Sequence, residues 1–262
     1  MDLTGEQWSL IEPLLPARKL KREDRPGRTP TPSRALWDGI LWTLRTGAQW
    51  SELPREKYPP YKTLHRWFQG WVRDGTFRAV LRALALDLKE RGGFDLEEGF
   101  VDAYFASAKK GGPCAGKTKR GKGAKVMAAA DGAGLPLAIG AASASPHETK
   151  LLEATLDESI IDELPERLIG DKAYDADKLD ERLWHQWGVK LIALHCRGRK
   201  TKTQDGRELR RYRRRWKMER LFAWLQNFRR LVTRHEVKVE NFLGFLHLAC
   251  ILILILILLK QF

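Results

Sequence analysis

Residues 99–107 read GFVDAYFAS. The run is apolar enough for a buried strand, yet Asp102 interrupts it. A carboxylate inside such a strand is costly unless it is paired or binds a cation. Two more strand-like runs follow, Lys125–Asp131 and Leu135–Ala142, joined by the Gly-containing turn DGAG. After them, His147–Glu158 reads as helical and Arg167–Gly170 as a short strand closed by Asp171. Ala176–Trp187 reads as a helix, Lys190–Leu194 as a strand and Tyr212–Leu231 as one long helix. Three strands, a helix, a strand, a helix, a strand and further helices predict an α/β (α+β) fold, a mixed five-stranded sheet with helices on its faces.

Upstream of this region the chain changes character. Thr4 and Gln7 have capping-box spacing ahead of WSLIEPLL. A Pro- and Arg-rich linker, KLKREDRPGRTPTP, follows. Ser33–Arg45 carries Leu36, Trp37, Ile40, Leu41 and Leu44 at helical spacing, and Lys62–Arg73 and Thr76–Arg91 read as two more helices. The predicted division is therefore a helical region over 1–92 and a sheet-containing region over 93–262. Two readings of the helical region stay open: a helix-turn-helix that lays Lys62 and Arg66 along DNA, or a small bundle with ordinary surface charges.

The formal net charge of the 262-residue chain is +14, with an isoelectric point near 9.8. Residues 197–234 hold 15 Lys/Arg against 3 Asp/Glu, and residues 109–125 hold 7 Lys/Arg and no acid. Charge concentrated in this way points to a polyanion, and Tyr212, Trp216, Phe222, Trp224 and Phe228 interleave the first block as in nucleic-acid binders. The three cysteines form no CxxC pair, which argues against a disulfide framework or a structural zinc site. The first residues lack a basic leader before an apolar run, so an intracellular protein is expected. Phe242–Leu259 is uncharged and near the length of a membrane span. Its reading here is a core helix or strand, with a membrane anchor as the minority alternative.

Three acids carry the candidate chemistry: Asp102 in its strand, Asp171 at a strand end, and Glu219 among Arg213, Arg214, Arg215, Lys217 and Arg220. Met218, Leu221, Leu225, Phe228 and Val232 form an apolar stripe with Glu219 at its edge. Carboxylates that converge repel one another unless a cation lies between them. Hard oxygen ligands suit Mg²⁺ or Mn²⁺, and two such ions ~4 Å apart suit phosphodiester chemistry. The bland alternatives are a hydrogen-bonded strand residue for Asp102, a turn cap for Asp171, and a helical Arg215–Glu219 pair worth ~0.3–0.5 kcal/mol.

These segments resemble bacterial insertion-sequence transposases of the DDE class, in the group whose last acid lies in a Tyr-x2-Arg-x3-Glu-x6-Lys motif. Tyr212, Arg215 and Glu219 match, while Gln226 stands where the motif has Lys, with Arg229 or Arg230 as substitute cations. FVDAYFASAKKGG supplies Asp102 and LIGDKAYDAD supplies Asp171. QWSLIEPLLP, LWDGILWTLRTGAQWSELP and YKTLHRWFQGW fit in the helical region. The resemblance implies a ribonuclease-H-like catalytic domain with Asp102, Asp171 and Glu219 as catalytic metal ligands, and two Mg²⁺ or Mn²⁺ ions. It implies double-stranded DNA as partner, through the element's inverted repeats and the target, a homodimer or higher oligomer, and a cytoplasmic, nucleoid-associated place of action. Candidate DNA contacts are Tyr212, Arg213, Arg214, Arg215, Lys217, Gln226, Arg229, Arg230, Lys109, Lys110, Lys172, Lys62 and Arg66. A metal-dependent nuclease on the same fold, or an inactive DNA-binding protein of the element, are the rival readings.

Overall fold

The computed structural model describes residues 2–17, 30–204 and 206–260. The capping box is in place: Thr4 Oγ1 accepts the Gln7 N–H at 3.2 Å and the Gln7 side chain accepts the Thr4 N–H at 3.1 Å, opening α1 (Gly5–Ile11). Most of the Pro- and Arg-rich linker lies outside the described residues. Helix α2 (Ser33–Thr46) buries Leu36, Trp37, Ile40, Leu41 and Leu44, and Gly47 in the left-handed region at φ 69° ends it. Helices α3 (Tyr61–Arg73) and α4 (Thr76–Glu90) complete the N-terminal layer.

The sheet begins with β1 (Gly99–Ala108), followed by β2 (Gly116–Thr118), β3 (Gly121–Asp131) and β4 (Pro136–Ser143). Strand β3 runs antiparallel to β1, with Asp102 opposite Ala128, and antiparallel to β4. The β3–β4 turn is the expected DGAG: Leu135 N–H donates to Asp131 Oδ1 at 2.6 Å, and Gly134 takes φ 85°. His147–Glu158 is not one helix. It is a short 3-10 turn, Glu148–Lys150, then α5 (Leu152–Leu156). Next come β5 (Arg167–Gly170), α6 (Asp177–Trp187) and β6 (Lys190–Ala193). Strand β5 is parallel to β1, and β6 to β5. The five principal strands stand in the order β4-β3-β1-β5-β6, the ribonuclease-H-like arrangement, while β2 and a further short strand, 233–234, extend the sheet to seven.

Tyr212–Leu231 is also not one helix. After α7 (Gly206–Leu209), residues Arg210–Arg215 form a 3-10 segment, Trp216–Gln226 form α8, and the chain turns extended at Phe228 before α9 (Arg229–Val232) and β7 (Thr233–Arg234). The tighter winding has a cause. In a 3-10 helix residues three apart eclipse, so Arg211 and Arg214 both reach the buried Glu98. Because of the break at Phe228, the expected stripe ends early: Met218, Leu221 and Leu225 are buried, but Val232 is 49% exposed.

The apolar C-terminal run is α10 (Val239–Leu258). It is long and apolar enough to cross a membrane, but most of it is buried in the protein. Phe245 stacks on Phe68 of α3 with ring centroids 4.3 Å apart. One apolar cluster runs from Leu3 through α2–α4, the inner face of the sheet and α8 to Leu258. A second cluster on the opposite face packs α5 and α6 against Val101, Met127 and Leu168.

Candidate active site

Strand register builds the centre of the site. β1 and β5 pair in parallel as Gly99↔Leu168 and Phe100↔Ile169. Two residues further along the same register, Asp102 comes beside Asp171 where β5 ends and a cleft opens. Both acids line that cleft of about 450 Å³, together with Glu148 and Lys125. Gly170 precedes Asp171, and a Cβ there would meet the Tyr174 ring at 2.6 Å, so glycine lets that ring pack under the strand end.

Asp102 Oδ1 accepts the Ala103 N–H at 2.8 Å. Burial pushes its carboxyl up to about 6, helped by the nearby charges of Asp171 and Glu148 and opposed by the Ala103 N–H and by Arg215. Asp171 Oδ1 accepts the Ala173 N–H at 2.8 Å and so caps the 3-10 turn Lys172–Tyr174.

Glu219 does not line the cleft. Its side chain is 63% exposed, one turn along α8 from Arg215. A single guanidinium nitrogen links the two places: Arg215 Nη2 lies 3.5 Å from Asp102 Oδ2 and 3.3 Å from Glu219 Oε1. Arg215 Nη1 donates to the Tyr212 hydroxyl at 2.7 Å. Among the described residues no three His, Cys, Asp or Glu side chains close on one point as a finished ligand set. Carboxylates repel, and here cations, Arg215 and Lys125, sit between or beside them. The donor chemistry nonetheless fits a hard divalent ion: oxygen donors only, from Asp102 and Asp171 in one cleft, with Glu219 tied to Asp102 through a positive group.

Several expected DNA contacts serve the fold instead. Arg230 is 5% exposed; it pairs with Glu236 at 2.6 Å and donates to the Gly47 and Ala48 carbonyls. It therefore does not replace the motif's missing lysine from the surface. Arg214 pairs with Glu98 and Lys217 donates to the Gly132 carbonyl. A buried carboxylate and a turn carbonyl each need a donor, and these cations supply it. Arg213, Gln226, Arg229, Lys109, Lys110, Lys172, Lys62 and Arg66 are exposed. Glu148, Lys125 and Tyr174 were not singled out from the sequence as site residues. The weak signal for Glu148 was its place in PHET, at the turn that follows the third principal strand.

Residues 93–254 match the family described as "Transposase DDE domain". The chain belongs to the DDE transposases. Residues 3–81 of this DDE transposase match a second family, described as "Putative transposase of IS4/5 family". Over 117 residues it is 36% identical to the "Insertion element IS402 uncharacterized 16.2 kDa protein" of Burkholderia cepacia, covering 44% of this chain and 80% of that one. Over 126 residues it is 29% identical to "Uncharacterized protein y4sN" of Sinorhizobium fredii, covering 47% and 91%. Over 89 residues it is 34% identical to the "Putative transposase for insertion sequence element IS402" of Burkholderia cepacia, of which it spans 38%.

Proposed function

We propose that this DDE transposase binds the terminal inverted repeats of its element, cleaves the DNA ends by divalent-metal-dependent hydrolysis and joins the 3′-hydroxyl ends to target DNA. The observation that carries the reading is the Arg215 nitrogen within 3.5 Å of both Asp102 and Glu219, with Asp171 beside Asp102 in the cleft. A cation already mediates between the first and third acids. Asp102, Asp171 and Glu219 would hold Mg²⁺ or Mn²⁺, which when bound activates a water or a 3′-hydroxyl and stabilises the leaving oxygen.

The remaining roles belong to the chain itself. Arg213, Lys109, Lys110 and Lys172 are exposed cations suited to the phosphates of the scissile strand. Residues 1–92 form the DNA-binding region, with Lys62 and Arg66 along the exposed side of α3, and residues 93–262 the catalytic region. Two copies act together, because two element ends must be held at once. The place of action is the cytoplasm, on the nucleoid.

The test is a cleavage and strand-transfer assay on element-end DNA with Mg²⁺. Wild type is expected to nick and join, and Asp102→Ala, Asp171→Ala and Glu219→Ala to fall to background. Retained Mg²⁺-dependent cleavage in Asp102→Ala would falsify the assignment. Cleavage without joining would make the protein a nuclease, and binding without cleavage an inactive DNA-binding protein.

A further inference from the structure

Glu148 enters the cleft from an element unconnected with the three acids. Antiparallel pairing of β4 with β3 ends at Ala124↔Ser143, and the 3-10 turn Glu148–Lys150 then brings the chain back over the cleft. The Glu148 side chain is 22% exposed, and Lys125 Nζ lies 3.5 Å away. That distance is long for a charge-assisted hydrogen bond, and the same Nζ donates to the Pro146 carbonyl at 2.9 Å. Lys125 therefore neutralises Glu148 without consuming it as a ligand.

A second observation comes from beneath the cleft. Tyr174 is fully buried, and its hydroxyl makes no hydrogen bond of normal geometry. Its ring packs against Gly170, so the side chain lies beneath the strand end that carries Asp171. A buried hydroxyl without a partner costs ~1–3 kcal/mol. An orphan donor beneath the strand end that carries Asp171 marks a site whose arrangement is completed by something that draws a carboxylate, or a water on it, into reach.

We propose that Glu148 is a fourth carboxylate of the divalent-cation site, binding the ion together with Asp102 and Asp171, and that Lys125 is the counter-charge that occupies Glu148 while the ion is away. This rests on the metal-dependent reading above and names a ligand which that reading does not contain. Lys119, Arg120 and Lys125 line the cleft beside the three carboxylates, and Arg215 lies 3.5 Å from Asp102, so a divalent ion bound by the carboxylates would take the place of these cations as their counter-charge.

The measurement is Mn²⁺ binding to the full chain without DNA, followed by the electron paramagnetic resonance of free Mn²⁺. Glu148→Gln is expected to weaken binding about tenfold or more, in the range that loss of a group supporting a metal site produces. Lys125→Met is expected to tighten it. Glu153→Gln, on an exposed ion pair with Arg182, is the control and is expected to bind as wild type. Melting curves taken without Mn²⁺ establish that each variant folds. Neutralising any nearby charge shifts cation affinity, so the ligand role is read from Glu148→Asp, which keeps the charge and withdraws the carboxylate. Weaker binding is the signature of a ligand, and wild-type affinity marks a charge acting at a distance and overturns the inference. Wild-type affinity in Glu148→Gln, alongside loss of binding in Asp102→Asn, overturns the fourth carboxylate and leaves the proposed function standing. No Mn²⁺ uptake by wild type sinks the metal-dependent reading itself. Should Glu148→Gln fail to fold, Glu148→Asp decides: weaker binding supports the inference, and unchanged binding overturns it.

Discussion

Asp131 shows how a single buried acid sets a local structure and a pH response. It is fully buried at the end of β3, accepts the Asp95 N–H at 2.9 Å and the Leu135 N–H at 2.6 Å, and so closes the turn to β4. Burial pushes its carboxyl up to about 6 from an ordinary 3.8, against the pull of those N–H groups. The folded state thus binds this proton more tightly than the unfolded chain. The stability it contributes is fully present below about pH 4 and lost as pH rises through about 6. Wild type is expected to gain on the order of 2 kcal/mol relative to Asp131→Asn between pH 7 and pH 4. Urea denaturation of both at the two pH values checks this; a difference that does not change with pH refutes it. At pH 7 the substitution has its own cost of ~1–3 kcal/mol, because an amide nitrogen cannot accept one of the two N–H groups.

At the scale of elements, the segment from Arg210 to Gln226 decides how the third acid is displayed. Its 3-10 part is fastened to the sheet by Glu98, 3% exposed as a side chain, through Arg211 at 2.8 Å and through Arg214. The N-terminal end of α8 is fastened by Lys217 and Arg220, which donate to the Gly132 and Ala133 carbonyls of the β3–β4 turn. Glu98→Gln removes the charge that both arginines neutralise. Since those arginines are partly exposed, a loss of about 1–2 kcal/mol is expected rather than the larger cost of a fully buried pair. For a chain of this size that lowers the melting temperature by about 2–8 °C. Thermal melts measure it, and an unchanged midpoint counts against the clamp.

The whole molecule is held together by α10, which packs on the N-terminal helices as well as on the sheet side. Gly244 makes the close approach possible, because a Cβ there would meet Val72 Cγ2 of α3 at 2.5 Å. Gly244→Val is expected to cost about 1–3 kcal/mol through overpacking. Gly70, in the interior of α3, has nothing within 4 Å of an added Cβ. Gly70→Ala is therefore expected to stabilise by about 0.5–1 kcal/mol. Opposite signs in paired denaturation experiments support the packing, and equal signs contradict it. Burial of α10 also predicts thiol reactivity. Cys114 and Cys196 are exposed, whereas Cys250 is buried and its thiol is pushed up to about 12. Two thiols are expected to label in the native protein and the third only after unfolding, read by mass spectrometry.

Local pattern was enough for much of this. Strand alternation, helical spacing and turn chemistry over Thr4–Gln7, Ser33–Arg45 and GFVDAYFAS depend on neighbours in the chain, so the sequence by itself determined most of the elements and the five principal strands. Asp102, Asp171 and Glu219 were singled out as the candidate acids because a charge in or beside an apolar segment is anomalous at short range. Long-range partners were not legible. Which arginines are buried depends on carbonyls and acids up to 183 residues away, as with Arg230 and Gly47. Tyr212–Leu231 breaks into three pieces because Glu98 gathers two arginines at 3-10 spacing, a contact across 113 and 116 residues. The tertiary structure alone set Glu148 and Tyr174 around the cleft, because only strand register and the return of the turn after β4 carry residues so distant in sequence to one place. Electrostatic pairing and burial are properties of points in space, and the linear chain does not show which points will meet.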